Sequence, residues 1–130
     1  DPDNVNGWTN PTGLNLSATD QLEYNRFLAD IAHARELSVG LKNDIEQVGE
    51  LERWFDWALN EECVDFAECD PYEAFLDRSK AAFHIEYVDD WADAEARADA
   101  VCGEAPGLDT LIKTWELGPE FLACPTTIEP

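Results

Sequence analysis

Three short apolar runs in this chain stop in the same way. Ser38-Val39-Gly40-Leu41 breaks off at Lys42, Asn43 and Asp44; Trp57-Ala58-Leu59 breaks off at Asn60, Glu61 and Glu62; Ala81-Ala82-Phe83 runs up to His84, Glu86 and Tyr87. A helix-like stretch separates each from the next. Strands that alternate with helices pair in parallel, because each return to the same end of a sheet needs a crossover. A parallel strand is buried on both faces, so its body is apolar and polar groups gather where it leaves the core. In α/β barrels and open α/β sheets, ligands sit at that carboxyl end. The three endings therefore predict one shared polar mouth.

The remaining elements follow from spacing. Residues 1–16 read as loop, with Pro2, Gly7, Pro11, Gly13 and several asparagines. Ser17 with Asp20 three residues on marks a helix start, an acidic variant of the capping box. Tyr24, Phe27, Leu28 and Ile31 recur at helical spacing and predict a helix over 19–36 that buries that face. Val48, Leu51, Trp54 and Phe55 predict a short helix over 47–55. Pro71 opens another that ends near Arg78. Residues 89–101, rich in Ala, Asp and Arg, predict a fourth helix. "LDTLIK" reads as a fourth short strand, and "PEFLAC" closes the chain. No linker divides this order, so residues 1–130 are expected to form one α/β domain.

Charge narrows the partners. Acidic residues number 29 against 8 basic ones, for a net charge of −21. That argues against nucleic-acid phosphates and against an anionic membrane surface. No run approaches the ~18 apolar residues that span a bilayer. A cationic ligand, a salty environment or plain solubility all suit the balance. Asp89, Asp90, Asp93, Glu95 and Asp99 fall on one expected outer helix, which assigns much of the charge to general surface. Hydrophobic residues at 45 % exclude a disordered acidic tail. Oligomeric state is left open.

Cys63, Cys69, Cys102 and Cys124 form an even set with three possible pairings, of which Cys63 with Cys69 and Cys102 with Cys124 are the local ones. Zinc is the competing reading, but no CxxC occurs and His33 and His84 lie far from the cysteines in sequence. Disulfides are expected, and with them an oxidising, extracellular setting. The absence of GxSxG, with cysteines expected to pair, argues against Ser or Cys nucleophilic hydrolysis. No phosphate loop or dinucleotide fingerprint occurs, and no cofactor and no metal is expected.

Five stretches in order, "PDNV", "VGLKND", "FDWALNEEC…EC", "KAAFHIEY" and "TLIKTWEL", resemble glycoside hydrolase family 114, the endo-α-1,4-polygalactosaminidases and their spherulin-4-like relatives. The resemblance runs from Asp1 to Cys124. It implies a (β/α)8 TIM barrel of roughly twice this length. This chain would be about its C-terminal half, from the end of strand five through strand eight, and inactive alone. It also implies a secreted enzyme whose partner is a polysaccharide, a cationic amino-sugar polymer among the candidates. The alternative is a carbohydrate-binding or structural protein of the spherulin-4 type without turnover.

Glycoside hydrolysis needs two carboxyl groups flanking the bond. The resemblance picks Asp3 of "PDN" as nucleophile or base and Glu61 of "NEEC" as general acid, with the reverse assignment open. Asn4, beside Asp3, and Trp8 join the substrate-contacting set from the leading loop. Lys42, Asn43 and Asp44 join it from the first strand end, Lys42 as the cation that holds a catalytic carboxylate ionised. Asn60 is expected to orient Glu61 or bind a sugar hydroxyl. Glu86 and Tyr87 are expected to line the subsites, and Trp8 and Tyr87 to stack on sugar rings. His84, inside its strand, reads as a core residue. A Cys63–Cys69 bond would pin the loop behind Glu61, and a Cys102–Cys124 bond would tie the last helix to the closing segment.

Overall fold

The computed structural model describes residues 1–125; the last five residues of the expected 1–130 domain lie outside them. Four strands lie side by side in sequence order and run parallel: β1 (Gly40–Lys42), β2 (Trp57–Glu61), β3 (Ala82–Val88) and β4 (Asp109–Thr114). The alternating pattern in the sequence thus becomes a parallel sheet. It holds four parallel strands, where a span from the end of strand five through strand eight allots three. A fifth strand, β5 (Leu122–Ala123), pairs antiparallel with β4. It falls in the closing "PEFLAC" segment, where two residues are too few to show a period. Long-range bonds hold it: Cys102 is bonded to Cys124, whose N–H donates to the Thr110 carbonyl at 2.9 Å. Cys63 is bonded to Cys69. The local pairing is therefore the one formed, and all four sulfurs are spent on each other.

The long helix α1 (Ala18–His33) starts where its capping box says it should. Ser17 Oγ accepts the Asp20 N–H at 3.2 Å, and the Asp20 carboxylate accepts the Ser17 N–H at 2.8 Å. It stops short of residue 36 because Glu36 takes a left-handed φ of 58°. Its buried face corrects the sequence reading. Gln21, Asn25 and Ala29 are buried, while Tyr24 and Phe27 are more than half exposed. The polar pair earns its burial through hydrogen bonds: Gln21 Nε2 donates to Asn25 Oδ1, and Asn25 Nδ2 donates to the Val5 carbonyl and to Asp44. The other helices are shorter than expected: α2 (Val48–Leu51), α3 (Glu73–Leu76) and α4 (Ala94–Val101). Tight 3-10 turns lengthen each of them, at Ile45–Gln47 and Glu52–Trp54, at Asp70–Tyr72 and at Trp91–Asp93. Asp89, Asp90, Asp93, Glu95 and Asp99 are all exposed there, as expected of a solvated outer face.

The helices cover one face of the sheet. Ala58, Asn60, Ala82, His84, Glu86, Thr110 and Ile112 are buried beneath them. Trp57, Leu59, Phe83, Ile85 and Leu111 alternate with these and line an apolar hollow of about 460 Å³ on the other face. Strand bodies apolar on both faces were expected; the covered face instead mixes the apolar Leu41, Ala58, Ala82 and Ile112 with the polar Asn60, His84, Glu86 and Thr110, and the open face carries large apolar groups. Gly40 of β1 lies against the ring of Trp57, one of the residues that line this hollow. A Cβ there would sit 2.4 Å from the Trp57 ring. Gly40→Val is expected to displace Trp57 and to destabilise the fold by about 1–3 kcal/mol. A thermal melt of the full chain reads this; an unchanged midpoint would contradict the packing described.

Candidate active site

The sheet delivers its functional groups by parity. Residues of one strand alternate between faces, and Lys42, Glu61 and Tyr87 share the side of the open hollow, each at the carboxyl end of its strand. Lys42 is 6 % exposed. Its ammonium sits 2.8 Å from Asp3 Oδ1 and 2.8 Å from Glu61 Oε2. One nitrogen therefore bridges two carboxylates whose nearest oxygens are at most twice 2.8 Å apart.

The turn after β1 builds the rest of the clamp. Asn43 and Asp44 both take left-handed φ values, 55° and 56°, a conformation that short polar side chains tolerate best after glycine. Asn43 Oδ1 accepts the Glu61 N–H at 3.0 Å and Asn60 Nδ2 at 3.3 Å. Asn43 Nδ2 donates to Asn4 Oδ1 at 2.9 Å and, more weakly at 3.4 Å, to Glu61 Oε2. The Tyr87 hydroxyl donates to Glu61 Oε1 at 2.5 Å. Glu61 thus receives Lys42, Tyr87 and Asn43, while Asp3, with its side chain 77 % exposed, has Lys42 on one oxygen.

These contacts set the charges. Hydrogen bonding to Lys42, reinforced by its charge, holds the Asp3 carboxyl below its ordinary range. For Glu61, burial is the largest single influence and pushes upward, but Lys42, Tyr87 and Asn43 outweigh it and leave the carboxyl below its ordinary value. Burial would lower Lys42, yet the two carboxylates carry it upward. Burial and then the Glu61 acceptor drive Tyr87 well above the usual phenol range, so it stays a donor. The resting site is an anion–cation–anion trio with a neutral phenol against one end.

Comparison with known proteins gives this arrangement a family. The model described as glycoside-hydrolase family GH114 matches residues 1–129. The chain belongs to family GH114. A crystal structure of Aspergillus fumigatus Ega3 in complex with galactosamine is 34 % identical and aligns with a TM-score of 0.83, over 94 % of this chain and 53 % of that one. The chain thus spans about half the length of that relative. No curated protein matches it.

Within this GH114 chain, several expected site residues lie elsewhere. Asn60 is 1 % exposed. Its amide donates to Asn43 and to the Tyr72 hydroxyl at 3.1 Å, so it braces Asn43 and does not reach the surface. Glu86 is fully buried on the helix side. It accepts the Val64 N–H at 2.9 Å, His84 Nε2 at 2.9 Å and a close bond from Arg97, which also holds Asp65. It anchors the loop behind Glu61 and lines no subsite, because its parity is opposite to that of Tyr87. His84, with Thr110 on its other nitrogen, is the core residue it was read to be. Trp8 sits half-buried in the turn Gly7–Thr9 with its indole N–H buried toward Asp44 and away from the carboxylates.

Asp44 is fully buried and accepts Asn25 Nδ2 at 2.8 Å on one oxygen. Burial pushes its carboxyl up to about 6, against some relief from Trp8 and Asn25. A raised carboxyl binds its proton more tightly in the folded state. Its contribution to stability is complete below the unfolded value of 3.8 and is lost as pH rises through 6. Asp44→Asn is therefore expected to melt like the parent at pH 4 and to be more stable at pH 8, by on the order of 2 kcal/mol. Melts that differ equally at both pH values would contradict this.

Sequence reasoning missed Trp115. It follows β4 directly, and its ring stacks on Tyr87 with centroids 4.2 Å apart and planes 17° from parallel. The rule that picked the first three strand ends, carried to the fourth, reaches Lys113, Thr114 and Trp115.

Proposed function

We propose that this chain carries both catalytic carboxylates of a secreted glycosidase that cleaves α-1,4-linked galactosamine polymers with retention of configuration. The observation that carries the reading is the single Lys42 ammonium shared by Asp3 and Glu61. Retaining enzymes hold their two carboxyl groups about 5–5.5 Å apart, inverting ones about 6.5–9.5 Å. A shared bridging cation limits the nearest oxygens to at most twice 2.8 Å, which favours the shorter separation.

Asp3 acts as nucleophile. It is ionised, its side-chain partner is Lys42 on one oxygen, and it is the more exposed of the pair. It attacks the anomeric carbon as the C–O bond to the leaving sugar breaks, and Glu61 gives that oxygen its proton. Water then attacks the same carbon, Glu61 takes the water proton, and the Asp3 ester bond breaks. In the resting site Lys42, Tyr87 and Asn43 hold Glu61 ionised, so it takes up a proton from solvent before the acid step; burial favours that protonated form, and a sugar seated over it strengthens the effect by excluding water. Tyr87 and Asn43 fix the carboxyl plane. The substrate class is supported by the galactosamine in the Ega3 crystal structure and by the net charge of −21, which attracts a polycation. Paired cysteines suit secretion.

We place the chain in a (β/α)8 barrel by its open apolar face. Counting β4 as the eighth strand makes β1 to β4 strands five to eight and puts Asp3 at the end of strand four. In this arrangement four more strands close the hollow; turnover belongs to the full chain, these 130 residues joined to those four strands, and the 130 residues alone show none.

The test is incubation of the full chain with de-N-acetylated and fully N-acetylated α-1,4-galactosaminan, reading new reducing ends and the first anomer by proton NMR. The expected result is cleavage of the cationic polymer with the α-anomer appearing first. Initial β-anomer would overturn the retaining step. Binding without cleavage would favour the non-catalytic relative.

A further inference from the structure

We propose that Trp115 is a substrate-binding residue of this site, the platform on which the apolar face of a hexosamine ring lies in a subsite neighbouring that of Glu61. The inference rests on the glycosidase reading above and adds a residue to it.

Trp115 is held on two sides. Its ring stacks on Tyr87, whose hydroxyl donates to Glu61 Oε1 at 2.5 Å. Its indole N–H donates to Asp89 Oδ1 at 3.2 Å, across the rim from the end of β3. Yet the residue is 53 % exposed. A tryptophan serving the core would have its area removed from water; this one is oriented and left open. A fixed ring surrenders little freedom when a ligand settles on it, which is the condition for tight stacking.

The chemistry of that surface matches one ligand class. A pyranose presents a patch of C–H bonds on one face, and an aromatic π-face is electron-rich. An ammonium on the sugar strengthens the attraction, since indole is the best ring for a nearby cation. Acidic groups lie on both members of the stack: Asp89 at the indole N–H, and Glu62, whose charge acts on Tyr87. Because Tyr87 covers one face of the indole and itself reaches Glu61, a sugar on the other face is two stacked rings from the catalytic carboxyl, the place of a neighbouring subsite.

The experiment measures binding and turnover separately in the full chain. Calorimetric titration of the Glu61→Gln variant with a galactosamine tetramer gives Kd, and hydrolysis by the otherwise unchanged chain gives kcat and KM. Adding Trp115→Ala is expected to weaken Kd about tenfold or more and to lower kcat/KM chiefly through KM. Trp115→Phe is expected to recover most of the loss. Trp115→Leu keeps apolar bulk against Tyr87 without a π-face and carries the test if the alanine variant does not fold; it is expected to bind at least about threefold more weakly. Tyr87→Phe retains the stack but not the hydroxyl, so it is expected to move the pH profile more than Kd. Alanine and leucine variants that bind within twofold of the parent would overturn the platform, whatever the turnover. Binding without turnover in the unsubstituted chain, lost on Trp115→Ala, would overturn the glycosidase and leave the platform standing. A parent that binds no galactosamine tetramer would overturn both.

Discussion

Glu61→Gln lowers kcat of the full chain on a galactosamine oligomer by about 10³-fold or more, with the melting midpoint little changed. The amide keeps the shape of the carboxylate and an oxygen for Tyr87, and Glu61 is partly solvent-facing, so the fold loses little. What disappears is the proton for the leaving oxygen, and proton transfer by a positioned group is worth about 10²–10⁴-fold. The defect should depend on the leaving group. An aryl galactosaminide with an acidic phenol needs no protonation, so the burst of phenol that reports glycosyl-ester formation should recover to within about tenfold of the parent; the second step, where Glu61 is the base, stays slow unless azide attacks in place of water. Asp3→Asn should lose both substrates alike, since no leaving group compensates for a missing nucleophile. Equal losses on both substrates for Glu61→Gln would move the nucleophile to Glu61 and reverse the roles.

Lys42→Met produces the second large effect, and its sign follows from the contacts. Lys42 lowers both carboxyls, as a hydrogen-bond donor and as a charge. With the cation gone, both titrate at higher pH, typically by about 1–3 units for an opposite charge at contact. The bell-shaped profile of kcat/KM should therefore move to higher pH on both limbs, from an optimum in the acid range set by the depressed carboxyls. At the parent's own optimum, activity should fall at least about tenfold, because Asp3 is then protonated and unable to attack. Stability carries the same signature. A carboxyl depressed in the folded state contributes stability above its unfolded value and loses it as pH falls through the folded one. Asp3 and Glu61 are so depressed, and the variant should lose its advantage most visibly near neutral pH and least in strong acid. A profile of unchanged position would mean that Lys42 does not set the charge of the pair.

The parallel sheet was legible because alternating apolar runs and helical spacings leave few other solutions, and the strand ends drew attention to Lys42, Asn43, Glu61 and Tyr87. Asp3 was not legible that way. It lies in a loop with no period, and only resemblance to the family singled it out. The strand-end rule also swept in Glu86 and Asn60, which point to the helix side, where Arg97 and His84 hold Glu86 and the Asn60 amide nitrogen donates to Asn43 and Tyr72. Parity along each strand separates these groups, but only once it is known which face the helices cover. Asp44 departs for a different reason, a left-handed turn that carries it under Asn25. The buried face of α1 was misread because apolar spacing cannot foresee that Gln21 and Asn25 will be buried by their hydrogen bonds while Tyr24 and Phe27 face outward.

The most direct test is covalent. The full chain should be inactivated with a 5-fluoro galactosaminyl fluoride, which forms the glycosyl ester quickly and releases it slowly, then digested and mapped by mass spectrometry. A single added fluorosugar on the peptide carrying Asp3, formed in step with loss of activity, is the predicted result. A label on any other residue would contradict the assignment of Asp3 and Glu61 as the pair that flanks the bond, as would an active enzyme that never becomes labelled.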